Sequence, residues 1–371
     1  MAHPSQTHSS QTLSEFLNLL QNKWTFPVAC QKQCDPEACR CLRHIVHVEA
    51  LRAWWKRTAS ETTKQTKLQR LLDELGPAED ELGPLDIKLL SGKYSCLTVL
   101  SFLFSQKRHR LLGAFHRAGI NDSNFETRTQ LSDSKLRTEL ERSPGRNEVD
   151  QILESFQKER WAYCPLRLEL NMNCPLGTTR LIPPFCHKIS LGEGGTASTY
   201  LVVVQKDLIS DEGLRSAIQE TLYKDEIFGQ VRCRVYKARH SVYSSPMLTT
   251  AQCYRMVLKS YYGRHQSAYE LEKKAFSGLK HNGSVPIVGY LGCYTHEYGE
   301  GTDAGKAYNL LLEYGDQDLY GYWEDEKNVP PVRAKEITRF WKSLFEVADA
   351  IKHIHNLEVQ RGKEKPLRYN G

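Results

Sequence analysis

The chain has 371 residues, enough for two or three compact domains, and its 40% hydrophobic and 25% charged content is that of a globular protein rather than a disordered or membrane one. Its formal charge of +6 is mild, with Lys and Arg interleaved with Asp and Glu, so a nucleic-acid partner is not indicated. The longest apolar stretch, Leu97 to Phe104, falls short of the ~20 residues of a spanning helix, and the polar start MAHPSQTHSSQT has no signal-peptide core. A cytosolic or nuclear protein without a membrane partner is therefore expected, its eleven cysteines reduced.

Residues 1–12 are polar and Ser/Thr/Gln-rich and read as a flexible start; residues 13–160 read as a helical region. In LSEFLNLL, Leu13, Phe16, Leu17 and Leu20 recur at three and four, with Ser14 as the expected N-cap. From Leu42 to Leu75 the apolar positions Ile45, Val46, Val48, Leu51, Trp54, Trp55, Leu68, Leu71 and Leu72 predict an amphipathic helix pair, with the two tryptophans in the core. GPAEDELGP at 76–84 breaks the pattern. A second apolar block from Ile87 to Phe115, a polar stretch from Asn121 to Asp133 and a helix near Val149 to Phe156 complete the region.

Cys30, Cys34, Cys39 and Cys41, followed by His44 and His47, carry the ligand types zinc prefers, but C-x3-C-x4-C-x-C matches none of the paired C-x2-C forms. The cluster reads as a zinc module or as buried free thiols with surface histidines. KRHR at 107–110 reads as a solvated basic face.

Residues 161–188 read as a linker. IPPFCHKISLGEGGTASTYLVVV then predicts a strand, a glycine-rich turn and a second strand, in which Gly192, Gly194 and Gly195 let backbone amides approach an anionic ligand such as a phosphate. YRMVLKSYY at 254–262 is an alternating strand whose Lys259 interrupts an apolar face, and a lysine there is costly without anionic partners. SAYELEKKAFSGLKH at 267–281 predicts an amphipathic helix with Tyr269, Leu271, Ala275, Phe276 and Leu279 apolar, and Glu272 near that face can supply the carboxylate. KAYNLLLEYGDQDLYGYW at 306–323 runs from an apolar strand into a polar segment containing Gly315.

Glycine hairpin, strand lysine, helix glutamate and strand-to-hinge, in this order, resemble the small lobe of a eukaryotic-type protein kinase, from about Ile189 to His355. More narrowly, LGEGGTASTY, FQKERWAYCPLRL and the helical N-terminal region are similar to fungal serine/threonine protein kinases. The resemblance implies an α+β chain: the helical region, then a small lobe of antiparallel sheet plus one helix at 189–316 with an insertion at about 206–250, then the first helices of an incomplete large lobe at 317–371. It implies ATP with Mg²⁺ as ligand. Gly192, Gly194 and Gly195 would cover the phosphates and Leu191 the base. Lys259 would hold the α- and β-phosphates and Glu272 would orient it. Leu312 falls at the gatekeeper position, Glu313 and Gly315 would bond the adenine through their backbones, and Asp318 lies near the ribose. His281 and Val288 match the helix end and the following strand.

The sequence departs from the family's pattern at Ala197, Thr199 and Val257, where the third loop glycine, a small apolar residue and a smaller alanine usually stand. The Lys259-to-Glu272 spacing is short for the family, and no H-x-D-x-K-x-x-N or D-F-G follows the predicted helix VRAKEITRFWKSLFEVADAIKHIHN. The catalytic aspartate, the metal-binding asparagine and the Mg²⁺-binding aspartate are thus missing, and the chain is expected to be truncated before its catalytic loop and inactive in transfer. The helix at 332–356 is expected to expose an apolar face and promote oligomers. The alternative is a non-catalytic interaction or scaffold protein with a vestigial small lobe.

Overall fold

The computed structural model describes residues 10–29, 43–59, 64–75, 95–125, 130–143, 146–175, 181–218, 222–223, 253–280, 288–298, 305–315, 324, 332–355, 358–361 and 364–368. The chain is α+β and divides into two compact units. Their described residues fall within 10–166 and 181–184, a helical unit, and within 167–175, 185–223 and 253–368, a sheet unit.

In the helical unit, α1 (Gln11–Leu19) starts at Ser10, whose hydroxyl accepts from the Leu13 N–H at 3.0 Å and donates to Glu74. The N-cap is therefore Ser10 rather than Ser14, because the hydroxyl at 10 satisfies the first orphan amides while anchored to a carboxylate 64 positions away. One π-helical turn leads into β1 (Thr25–Val28), which pairs antiparallel with β2 (Arg43–Val46). Ile45 and Val46, expected on a helix, are strand residues because β1 supplies the pairing partner. The helix pair then follows as α2 (Val48–Lys56) and α3 (Lys67–Leu75). His47 caps α2, its Nδ1 accepting from the Ala50 N–H at 3.3 Å.

α4 (Leu97–Ser105) buries every residue from Leu97 to Phe104. The apolar stretch is a core helix, and no helix among the described residues is long and apolar enough to cross a membrane. Asp122 caps it, accepting from the Thr98 and Val99 amides at 2.9 and 3.3 Å and lying 3.6 Å from Arg52 Nε. α5 (Leu112–Arg117), α6 (Gln130–Glu141) and α7 (Val149–Glu159) complete the unit. α6 starts inside the stretch read as merely polar and buries Leu136 and Leu140, one turn apart. Trp54 and Trp55 are core residues: Trp55 lies 4.5 Å from the Phe16 ring and 4.8 Å from Trp54, and its indole N–H donates to Ser101 at 2.8 Å. Cys30, Cys34, Cys39 and Cys41 lie outside the described residues, and among those described no three His, Cys, Asp or Glu side chains gather as metal ligands would.

The sheet unit is built on a mixed sheet of β3 (Met172–Pro175), β4 (His187–Glu193), β5 (Ala197–Gln205), β6 (Leu222–Tyr223), β7 (Cys253–Tyr262), β8 (Tyr290–Tyr298) and β9 (Gly305–Glu313). The spatial order is β3-β8-β9-β7-β5-β4, with β6 beside the start of β7; β3 runs parallel to β8 and every other pairing is antiparallel. The stretch 161–188 thus supplies the edge strand β3. Its approach to β8 needs glycine at 292, where a Cβ would stand 2.6 Å from Met172 Cγ. Between β5 and β6 comes α8 (Glu212–Ala217), capped by Asp211, whose Oδ1 also accepts from the Leu170 N–H at 3.1 Å.

Between β7 and β8 runs α9 (Gln266–Lys280), which packs Tyr269, Ala268 and Phe276 against one sheet face made of Ala197, Val257, Tyr261, Cys293, Tyr308, Leu310 and Leu312. Leu271, expected on its apolar face, is exposed instead, since the packed stripe runs through Tyr269 and Phe276. α10 (Ala334–His355) and a small hairpin, β10 (Glu358–Arg361) with β11 (Glu364–Arg368), follow.

Candidate functional site

The hairpin β4–β5 turns through Gly194 and Gly195, closed by the Gly194 N–H donating to the Ala197 carbonyl at 2.8 Å. A Cβ at Gly192 or Gly195 would meet nothing within 4 Å, so no neighbouring atom of the chain requires glycine there. Ser190 pairs with Tyr200 but Gly192 with Thr199, so Leu191 is an extra residue in the strand, and this bulge leaves it 50% exposed.

Cross-strand register puts Thr199, Lys259 and Leu310 in one row and Ile189, Leu201, Val257 and Leu312 in the next, all on the face that α9 partly covers. Thr199, Leu201, Val257 and Lys259 are half-buried, and Ile189 is exposed. The result is an apolar shelf beside a cationic group, open at its hairpin side.

Lys259 Nζ lies 2.9 and 2.8 Å from the two Glu272 carboxylate oxygens. The side chains are 30% and 21% exposed, so the pair is shielded yet reachable from solvent. Tyr261, two residues along the same strand face, donates its hydroxyl to Glu272 Oε2, and Lys259 Nζ lies 5.6 Å from that ring's centroid. The helix supplies the carboxylate and the strand supplies both donors, so any anion approaching Lys259 meets an ammonium already fixed in direction. Tyr269 and Tyr290 flank Cys293 behind this group, and burial first, then the thiol, raises both phenol pKa values well above the ordinary one.

The structure thus brings Lys259 and Glu272 together and sets Leu191, Gly192, Gly194 and Gly195 on one hairpin. Leu312 is buried at the end of β9. The Glu313 N–H donates to the Gly289 carbonyl at 2.8 Å, and its carboxylate accepts from the Gly289 N–H at 3.0 Å. Gly315 follows in exposed, irregular backbone, and Val288 lies exposed just before β8. Asp318 and His281 lie outside the described residues. Sequence reasoning missed Tyr261, whose contact with Glu272 was signalled only by its i+2 spacing from Lys259. No protein-family model matches this chain, and no curated protein matches it.

Proposed function

We propose that the sheet unit binds ATP in the manner of a protein-kinase small lobe, which makes the chain by resemblance part of an ATP-dependent serine/threonine phosphotransferase. The observation that carries the reading is the Lys259–Glu272 ion pair, with both carboxylate oxygens within 2.9 Å of the ammonium, on the strand that follows a glycine hairpin and on the helix after it. In this reading Lys259 turns from Glu272 toward the α- and β-phosphates while remaining paired, and Tyr261 keeps the carboxylate from swinging away. Gly192 and Gly195 let backbone donors approach the phosphates without side-chain obstruction, while the Gly194 N–H closes the turn on Ala197. The base lies on the shelf of Leu191, Leu201 and Val257 beneath Leu312. Because the Glu313 N–H is already bonded to Gly289, the base edge is read by other backbone groups of Glu313 and Gly315.

Mg²⁺ would ride on the phosphates, but the described residues gather no set of carboxylates to hold it, so no step is assigned to a metal. The aspartate that would take the substrate hydroxyl's proton has no counterpart motif within the 371 residues, and transfer is likewise not assigned to these side chains.

Thermal-shift titration of the whole chain with ATP and with ADP tests the reading. A ligand at a hundred times its Kd stabilises by about 2.7 kcal/mol. Nucleotide-dependent stabilisation is expected in the wild type and lost in Lys259→Ala and in Glu272→Gln. No shift with either nucleotide at millimolar concentration would overturn it and leave the ion pair as a structural bridge in a non-catalytic interaction protein.

A further inference from the structure

At the margin of the helical unit's core, α1 and α2 pass each other with a hollow between them. Glu15, Leu19 and Lys23 recur every fourth residue from α1 into the π turn that follows it, and Ala50, Trp54 and Thr58 do so along α2 and just past its end. The His47 N–H donates to the Trp24 carbonyl at 2.8 Å, and the Lys67 N–H to the Arg57 carbonyl at 2.8 Å, so backbone bonds close both ends. The half-open space holds about 380 Å³, floored by Trp24 and Trp54 and walled by Leu19 and Ala50. That is room for a small organic molecule rather than for a single water.

The charge around the hollow is unbalanced. Lys23, Arg57 and Lys67 line it against one carboxylate, Glu15. Lys67 already neutralises that carboxylate: its Nζ lies 2.7 Å from both oxygens and 5.0 Å from the centre of the Trp54 ring. Lys23 and Arg57 meet no carboxylate among the described residues. An organic cation would face this surplus and compete with Lys67 for the ring, whereas an anion finds it uncompensated. Arg57, the Thr58 hydroxyl and the third hydrogen of the Lys67 ammonium stand at one end of the hollow. The backbone holds them there, since the Ala59 N–H also donates to the Gln65 carbonyl at 2.6 Å and pins the turn between Arg57 and Lys67.

We propose that this hollow binds a small organic anion, its apolar body lying on Leu19, Ala50 and the two indoles and its carboxylate or phosphate held by Arg57, Thr58 and Lys67. The floor rewards burial of the body, and the donors at the closed end fix its direction. Lys23, at the opposite end, adds attraction without touching the head. A bare inorganic anion would leave the floor wet, and an uncharged aromatic would leave Arg57 without a counter-charge, so both parts of the ligand are needed.

Titration of the full chain with phenyl phosphate and with phenylacetate, followed by the indole N–H resonances of Trp24 and Trp54, tests this. The two signals are identified from Trp24→Phe and Trp54→Phe. They are expected to shift saturably at millimolar concentration, while that of the exposed Trp341 on α10 stays in place. Arg57→Glu keeps the backbone carbonyl that Lys67 uses and is expected to weaken binding about tenfold or more with unchanged far-UV circular dichroism, Arg57 being exposed. Lys56→Glu, an equal change of charge at an exposed neighbour outside the hollow, is expected to leave binding as it was. Inorganic phosphate is expected to bind about tenfold or more weakly than phenyl phosphate. Absence of a shift at Trp24 and Trp54 with both probes would overturn the proposal. So would equal weakening by Lys56→Glu, or inorganic phosphate binding as tightly as its phenyl ester.

Discussion

The two units close their apolar surface differently. In the helical unit the core is continuous from Phe16 through Trp54, Trp55 and Phe104 to Phe102 and Phe156, and polar groups enter it chiefly as satisfied partners, such as Ser101 beneath the Trp55 indole or Asp122 at the start of α4. In the sheet unit one face is sealed by α9 only in part, leaving Ile189 and Leu191 exposed beside a charged pair. A closed core is sufficient explanation of itself. An apolar shelf left open around a fixed cation calls for a ligand, which is why the chemistry is sought there.

The sharpest way to break this contrast is Trp55→Ala. Loss of the ring packing against Phe16, Trp54 and Phe104 and of the bond to Ser101 should cost about 3–5 kcal/mol, read by urea unfolding through amide exchange in α1, α2 and α4. Nucleotide-dependent protection of the sheet unit should survive below that transition; its loss there would show that the units do not close independently. Next comes Gly292→Ala, whose new carbon meets Met172 Cγ at 2.6 Å. Overpacking should cost about 1–3 kcal/mol, seen as faster amide exchange along β3 and β8 with the helical unit unaffected.

Asp122→Ala removes the cap of α4, while Arg52 keeps its bonds to Thr98 and Glu49, an expected loss of about 1–2 kcal/mol in the helical unit. Burial raises the Asp122 carboxyl pKa against the pull of Arg52 and the two amides, so acidification relieves this residue's desolvation rather than adding to it.

Glu74 behaves in the opposite sense, with the smallest effect. Burial pushes its carboxyl up, but hydrogen bonds from Ser10, Thr12 and Arg70 outweigh that and bring its pKa down from 4.5 to about 2. A depressed folded-state value means that its stabilisation is complete above 4.5 and is lost as pH falls from 4.5 toward 2. Limited proteolysis at α1 should therefore rise across that window in the wild type. In Glu74→Gln it should already be raised at neutral pH and vary little with acid.

Much of the site was legible because its parts are local. The hairpin shows in its glycines, the β7 lysine in its interruption of an apolar alternation, and α9 in its periodicity. What escaped depends on distant pairing. Arg43–Val46 carry β-branched residues at a spacing that also suits a helix, and only the partner strand Thr25–Val28 decides. α6 has only two buried leucines among its described side chains, too few for a stripe, and Asp122 caps a helix 24 positions upstream. Ser14 sat at a reasonable offset, but the cap went to the serine that a carboxylate of α3 can reach. The cysteine cluster belongs to residues outside those described, and the sequence reading of it stands where it stood.

The edge strand β3 has a consequence for how the chain is made. It precedes β8 by about 120 positions, as the Cys293 thiol donating to the Asn173 side chain illustrates. The first piece of the sheet to leave the ribosome is therefore among the last to find its place, after the hairpin and α9 have formed from nearer neighbours. Until then the outer backbone of β8 is a bare template for a foreign strand. High contact order at this seam should make it the slow stage of folding.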